Sequence, residues 1–225
     1  MSEICKSSAH SVGTVALLHQ ATFVPSKLEM LAVWLPSQPW FGDVEASTIN
    51  AVGTYRFDDP RGEVGIETHL LGVADGRTIQ VPVTYRGMPL KGAESFLIGT
   101  SYHSVLGERW VYDACGDVTY LTALANTILQ GGHEAELEVM TQEGLVRRET
   151  TTRVMGSGSR NIDVRILEPL VYKNVGPLAR ITAANIELVI SRVIKDDFGN
   201  GADYALSGSW PGQRAPVRLA FVLFE

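Results

Sequence analysis

The residues best suited to chemistry lie in the second half of the chain. A run of glycine and serine, Gly156 to Ser159, is followed by Lys173 in the stretch Leu170-Val171-Tyr172-Lys173. A glycine-rich turn lets backbone N–H groups approach a phosphate, and a lysine on a following strand can reach the same group. Gly156, Gly158 and Lys173 therefore form a faint phosphate-loop pattern of the kind found in a kinase amino-terminal lobe. A kinase also needs a catalytic aspartate and metal-holding Asn and Asp side chains from a second, larger lobe. Only 52 residues follow Lys173 in the 225-residue sequence, and they read as strands with no HRD-like or DFG-like segment. The simpler reading is a hairpin turn with a surface lysine.

Other chemistry is sparse. His10, His19, His69, His103 and His133 are not spaced three or four apart, and none joins a cysteine or carboxylate in a zinc pattern. No metal or cofactor is expected. There is no G-x-S-x-G elbow. Glu134, Glu136 and Glu138 alternate as a solvated strand face would. Asp58-Asp59 and Asp196-Asp197 adjoin Pro or Gly and read as turn residues, with acid–base work as the alternative. The aromatic residues Trp34, Trp40, Phe41, Trp110 and Tyr112 could stack on a sugar, anchor a protein interface, or fill a core. Trp40-Phe41 follows Pro36 and Pro39, so it sits in a turn and would pin one element onto another.

Composition narrows the class. Apolar residues make up 45% and charged residues 20%, as in a soluble globular domain. Nineteen Lys and Arg against 25 Asp and Glu give a net charge of -6. That balance disfavours a nucleic-acid binder and an anionic membrane surface. Cys5 and Cys115 are too few and too far apart for a disulfide framework or a metal clip. The amino terminus lacks a convincing secretion signal and no apolar run matches a membrane span, so the expectation is cytoplasmic with reduced thiols.

These residues need elements to hold them. Residues 1–11 read as a frayed polar stretch and 12–19 as a strand. Pro25 and Ser26 open a helix carrying Leu28, Leu31, Ala32 and Leu35, which Pro36 ends. Strands follow at Ile49 to Phe57, Gly65 to Val73 and Thr78 to Arg86. The turns between them are Asp58 to Gly62 and the hairpin Ala74-Asp75-Gly76. Val81, Val83 and Tyr85 share a face, and Pro82 predicts an edge position or a bulge. Residues 95–115 are strand-like with a turn at Leu106-Gly107-Glu108. Asp117 caps a helix from Val118 to Gln130, whose stripe is Leu121, Leu124, Ala125 and Ile128 and whose stop is Gly131-Gly132. Beyond residue 132 the segments Glu136 to Met140, Leu145 to Met155, Ile162 to Leu167, Leu170 to Tyr172, Ile186 to Ile194, Tyr204 to Ser209 and Val217 to Phe224 read as strands, divided by turn clusters such as Asp196 to Gly201. The fold class is α+β, with antiparallel sheets and two main helices. A cap-like region over 12–132 would precede a β-rich region over 133–225, with a core shared between them.

The stretch Leu28 to Gly42 (LEMLAVWLPSQPWFG) resembles the opening of actinobacterial maltokinases and related aminosugar kinases, in which a helix ends in W-L-P-x-Q-R-W-F-x-G-K. Ile79 to Gly87 (IQVPVTYRG) is similar to the family's Y-x-V-P-L-x-Y-R strand. Leu97 to Asp117 resembles its I-G … V-Y-D-A-x-x-D stretch. Together these correspond to the amino-terminal cap that precedes the kinase lobes. Residues 132–225 match less clearly and would correspond to an intermediate, amino-lobe-like β subdomain. Pro39 and Asp43 stand where the family has Arg and Lys, and the usual His before Asp117 and Pro after it are missing, so any role of those residues does not carry over. The resemblance implies a free-standing cap relative, similar to stand-alone actinobacterial proteins, some of which carry glucan-branching labels. A branching enzyme needs a large barrel with a carboxylate pair, for which this chain is too short. The expected function is therefore a non-catalytic accessory or regulatory protein of trehalose and glycogen metabolism. Its partner would be a sugar kinase or a glucan-metabolism enzyme, with Trp40, Phe41, Trp110 and Tyr112 as contact residues. The alternatives are a carbohydrate or small-ligand module with an aromatic platform, and a divergent kinase-related enzyme whose nucleotide binding depends on Lys173.

Overall fold

The computed structural model describes residues 16–18, 22–141, 144–161, 163–195, 198 and 201–224. The expectations for residues 1–11, Cys5, His10, His19 and Asp196-Asp197 lie outside the described residues.

Strand β1 (Ala16–Leu18) and the two-residue β2 (Phe23–Val24) lead into helix α1 (Lys27–Trp34). Ser26 caps that helix: its hydroxyl accepts from Glu29 N, and the Glu29 carboxylate accepts from Ser26 N. This reciprocal pairing satisfies two of the N–H groups a helix start leaves open. Pro36 falls in a short 3-10 turn, Leu35–Ser37, that finishes the helix. Strands β3 (Asn50–Phe57), β4 (Gly65–Gly72), β5 (Thr78–Arg86), β6 (Leu97–His103) and β7 (Gly107–Asp113) then form one antiparallel sheet with β2, in the order β2-β6-β7-β5-β4-β3. The three strands after α1 thus lie within a residue of their sequence reading.

Pro82 is not on an edge strand, because β5 lies between β4 and β7. The reason it is tolerated is local. Strand β7 runs beside Val83–Arg86 only, and Gln80 N donates to Arg192 O. N–H groups two residues apart point the same way, so Pro82 turns its missing donor to the gap between β7 and the 192 segment.

Helix α2 (Val118–Gln130) follows, capped by the Asp117 carboxylate on Thr119 N and closed by Gly131 at φ +70°. The second half holds β8 (Leu137–Thr141), β9 (Gly144–Arg148), β10 (Arg153–Gly156), β11 (Val171–Val175), β12 (Leu178–Ala183), β13 (Ile186–Ser191), β14 (Tyr204–Trp210) and β15 (Gln213–Phe224). Strand β8 pairs in parallel with β1 and antiparallel with β9. The rest make a second antiparallel sheet in the order β10-β14-β15-β13-β12-β11. The segment Leu145 to Met155, read as one strand, is two strands in different sheets. Strand β12 was not read from the sequence, because its buried positions Ala179 and Ala183 carry little strand signal.

Alternation sets the layers. Leu71 of β4, Val73 just after it, and Ile79, Val81, Val83 and Tyr85 of β5 pack with Met30 and Leu31 of α1 and with Leu35 of the turn that follows it. From β3 and β4, Tyr55, Phe57, Ile66 and Leu70 pack with Leu121, Leu124, Ala125 and Ile128 of α2, and with Ile181, Leu188, Leu206 and Leu219 of the second sheet. Helix α2 is therefore covered by apolar residues from both sheets, in one continuous core. Burial of several large aliphatic side chains, about 1.5–3 kcal/mol each, ties the two halves together.

Between β10 and β11, at opposite edges of the second sheet, residues 157–161 and 163–166 lie along α2 and run back towards its amino end. The bonds are Gly158 N to Ile128 O at 2.9 Å, Arg160 N to Leu129 O at 2.9 Å, Val164 N to Asn126 Oδ1 at 2.7 Å and Ile166 N to Thr122 Oγ1 at 3.1 Å. Residues 163–167 are therefore not the strand that their alternating apolar residues suggested. An extended chain bound to a helix and one bound to a strand show the same period-two pattern.

Candidate functional site

The expected aromatic contacts do not form one exposed patch. Trp40 and Phe41 are buried, at 5% and 0% exposure, in the core beneath α1. They hold the loop after α1 onto the sheet, with the Trp34 ring 6.0 Å from Trp40. Tyr112 is buried at 3% and its hydroxyl accepts from Leu90 N at 2.8 Å. Trp110, two residues back on β7, is half-buried. Trp40 thus offers no open face for a sugar ring.

The glycine run is equally committed. Gly156 N donates to Gly132 O and Gly158 N to Ile128 O. A Cβ on Gly156 would sit 2.0 Å from Thr127 O, and one on Gly158 would sit 2.1 Å from Leu129 O. Glycine is needed here for close approach to the end of α2, and the two N–H groups are taken by carbonyls of the last helical turn and of Gly132 just beyond it. Lys173 is exposed on β11, at the sheet edge opposite β10. Five strand spacings of about 4.8 Å put some 24 Å between these edges. The structure therefore does not bring Gly156, Gly158 and Lys173 together.

Several buried charge sites were not legible in the sequence. The first joins the two sheets. Arg192, fully buried just after β13, donates from Nη2 to Asp113 Oδ2 at 2.5 Å, and its guanidinium lies 5.1 Å from the Trp40 ring. Burial works against its charge, but the Asp113 carboxylate outweighs this and holds Arg192 firmly protonated. Next to it, Gln80 donates to Ser191 O and Leu219 O while accepting from Tyr55.

The second site is Glu134, which is buried and not part of a solvated face. Its carboxylate accepts from Val154 N at 2.9 Å and from Arg153 Nη1 at 2.9 Å. Glu136 is exposed, and the Glu138 side chain lies outside the described residues.

The third lies under α1. Glu67 accepts from Lys27 Nζ at 2.5 Å and from the Tyr85 hydroxyl at 3.0 Å, which leaves the Tyr85 oxygen to accept from His69 Nε2 at 3.2 Å. Burial alone would raise the Glu67 carboxyl. His69 when protonated, Lys27 and Arg56 reverse this and hold it at about 2 instead of 4.5. Burial pushes His69 below its ordinary 6.5, so it is neutral near pH 7. Both groups therefore add stability at neutral pH that is lost in acid: His69 as pH falls below 6.5, Glu67 as pH falls from 4.5 towards 2. For Glu67 this is on the order of 3 kcal/mol. Thermal melts should show Glu67→Gln less stable than wild type at pH 7, with a flatter loss below pH 4.5. Parallel curves across that range would show that Glu67 is not ionised in this setting.

At the amino end of α2, Arg86 clamps Asp117 with two bonds of 2.7 Å, and Thr84 adds a third at 2.8 Å. Beside this clamp lies a groove of about 1090 Å³, with room for a ligand. It is lined by the β3–β4 turn at 58–64, by α2, by residues 132–136 and by the strap at 163–167. The Asp59 carboxylate is committed to the turn, accepting from Arg61, Glu63 and Val64 N–H groups, in keeping with its turn reading. Partial burial pushes the neighbouring Asp58 carboxyl upward. The α2 residues facing the groove include Thr119, Thr122 and Asn126, off the apolar stripe. The sequence showed that polar face, but nothing in it signalled the strap that walls it.

Cys115 is buried, and burial pushes its thiol well above the usual range. Among the described residues, no group of three or more His, Cys, Asp or Glu side chains is placed to hold a metal ion. Nor, among them, is any helix long and apolar enough to cross a membrane.

No curated protein matches the chain. Residues 34–117 match the maltokinase N-terminal cap domain, a span from the last residue of α1 to the Asp117 cap of α2. This span holds Trp40-Phe41, the β5 strand with Arg86, and the β7 stretch ending in Asp113 and Asp117. Residues 34–117 of this chain are thus a relative of the maltokinase N-terminal cap domain.

Proposed function

We propose that this protein is a non-catalytic accessory or regulatory protein that binds a partner, and that the partner is a sugar kinase or another enzyme of trehalose and glycogen metabolism. The observation that carries the reading is the cap-domain match over 34–117. Its motif residues serve the fold: Trp40 and Phe41 seal the core under α1, Arg86 clamps Asp117, and Asp113 holds Arg192. A cap relative in which these motif residues are committed to the fold suits a protein that acts through its surface. Against phosphoryl transfer by this chain stand the glycine run bonded at the end of α2 and the place of Lys173 on β11, at the opposite edge of the second sheet from β10.

The test uses purified maltokinase. Calorimetric titration with this protein should show saturable association, and the rate of maltose phosphorylation should change at least twofold. The chain alone, with ATP, magnesium and maltose, should transfer no phosphate. Turnover by the chain alone would overturn the reading. So would the absence of both association and rate change across sugar kinases and glucan enzymes.

A further inference from the structure

The α2 groove borders the cap-matched span through the 58–64 turn and Arg86, and its opposite wall already shows what α2 recognises. Asn126 pairs with both main-chain groups of Val164, accepting from its N–H at 2.7 Å and donating to its C=O at 2.8 Å. One turn earlier, Thr122 Oγ1 accepts from Ile166 N. Helix side chains here hold an extended segment by its backbone, with Asp163 and the buried Ile166 adding side-chain contacts. Thr119, a turn further on, accepts from Arg86 Nη2 at 3.0 Å, which leaves its O–H to donate. Along an extended strap N–H groups alternate, so Arg165 turns its N–H away from the helix bonds made by its two neighbours.

Charge selects among occupants. The groove is lined by six carboxylates, Asp58, Asp59, Glu63, Glu134, Glu136 and Asp163, against Arg61, Arg86 and Arg165. Arg86 is already paired with Asp117 and Glu134 with Arg153; the other lining charges, Asp58, Asp59, Glu63, Glu136 and Asp163 against Arg61 and Arg165, still make an acidic excess. Such a lining repels phosphate or carboxylate ligands and attracts cations. The 13 residues of α2 span about 20 Å, the length of some six extended residues. We infer that the α2 groove binds an extended peptide segment bearing lysine or arginine, supplied by a partner protein. This deepens the accessory reading, on which it rests for the existence of a partner.

The experiment is to pan a linear random-peptide phage library against the intact protein and to measure the synthesised consensus by fluorescence anisotropy. The consensus should carry Lys or Arg at alternating positions and should weaken as salt rises. Two variants should each weaken binding roughly tenfold while keeping the wild-type melting temperature. Glu63→Lys with Asp163→Asn changes charge at exposed positions, the second keeping an acceptor for Asn126. Ala123→Trp fills the groove sterically. No enrichment, an acidic consensus, or binding unchanged in a folded variant of either kind overturns the inference. The same holds if the groove amides shift with maltoheptaose and not with the peptide. If maltokinase still associates fully with both variants, the groove assignment falls while the accessory reading stands. If basic peptides bind the groove but no sugar kinase or glucan enzyme associates, the reverse holds.

Discussion

Asp113→Ala should destabilise the protein by about 3–5 kcal/mol, enough to unfold many domains of this size. The cause is the partner left behind. Arg192 is fully buried, and the Asp113 bond at 2.5 Å is what keeps its charge tolerable there. Asp113 also accepts from Cys115 N in the turn before α2. Removing one member of a buried pair costs far more than the pair itself contributes, because an uncompensated charge remains. The double variant Asp113→Ala with Arg192→Met should therefore recover much of the loss. Urea titrations of the two single variants and the double variant measure this directly. A double variant no more stable than Asp113→Ala would show that Arg192 matters by shape alone.

Gly158→Ala should cost about 3 kcal/mol or more, although it adds only a methyl group. That methyl would lie 2.1 Å from Leu129 O and 2.7 Å from Ile128 O, and backbone carbonyls at a helix end have no room to yield. Either the strap lifts off α2 or the helix end distorts, and both lose the Gly158 N to Ile128 O bond. Gly62→Ala is a useful comparison. Its φ of +69° strains any other residue, but nothing lies within 4 Å of the added methyl. It should therefore cost about 1 kcal/mol. Equal losses at the two positions, read from denaturant midpoints, would mean that backbone conformation and not contact with α2 governs Gly158.

How far the sequence revealed the protein depended on the range of the interaction. Local patterns were readable. Pro25 and Ser26 before α1, Asp117 before Val118, and Gly131 after Gln130 marked both helices, and β-rich runs bounded by turn residues marked β3, β4 and β5. Motif spelling pointed to a cap-like region over 12–132, inside which residues 34–117 match the cap domain. Pairings between distant residues were not readable. Arg86 with Asp117, Arg192 with Asp113 and Lys27 with Glu67 each join charges that look like ordinary surface residues in sequence. The candidate groove was hidden for the same reason. Its α2 face could be seen as polar, but the strap was read as a sheet strand because its partner, a helix, leaves no separate signature. Gly156 and Gly158 suggested a phosphate loop because glycine marks close approach without saying what is approached; here it is the end of α2.

The route of the strap also constrains the order of assembly. It leaves β10 at one margin of the carboxy-terminal sheet, crosses α2 and enters β11 at the far margin. Its backbone finds hydrogen-bond acceptors on the helix, at Ile128, Leu129, Asn126 and Thr122. That sheet therefore cannot mature as an autonomous unit: its outermost strands are tethered by a linker that is satisfied only once α2 is formed and docked, which makes the helix a template for the half of the protein synthesised after it.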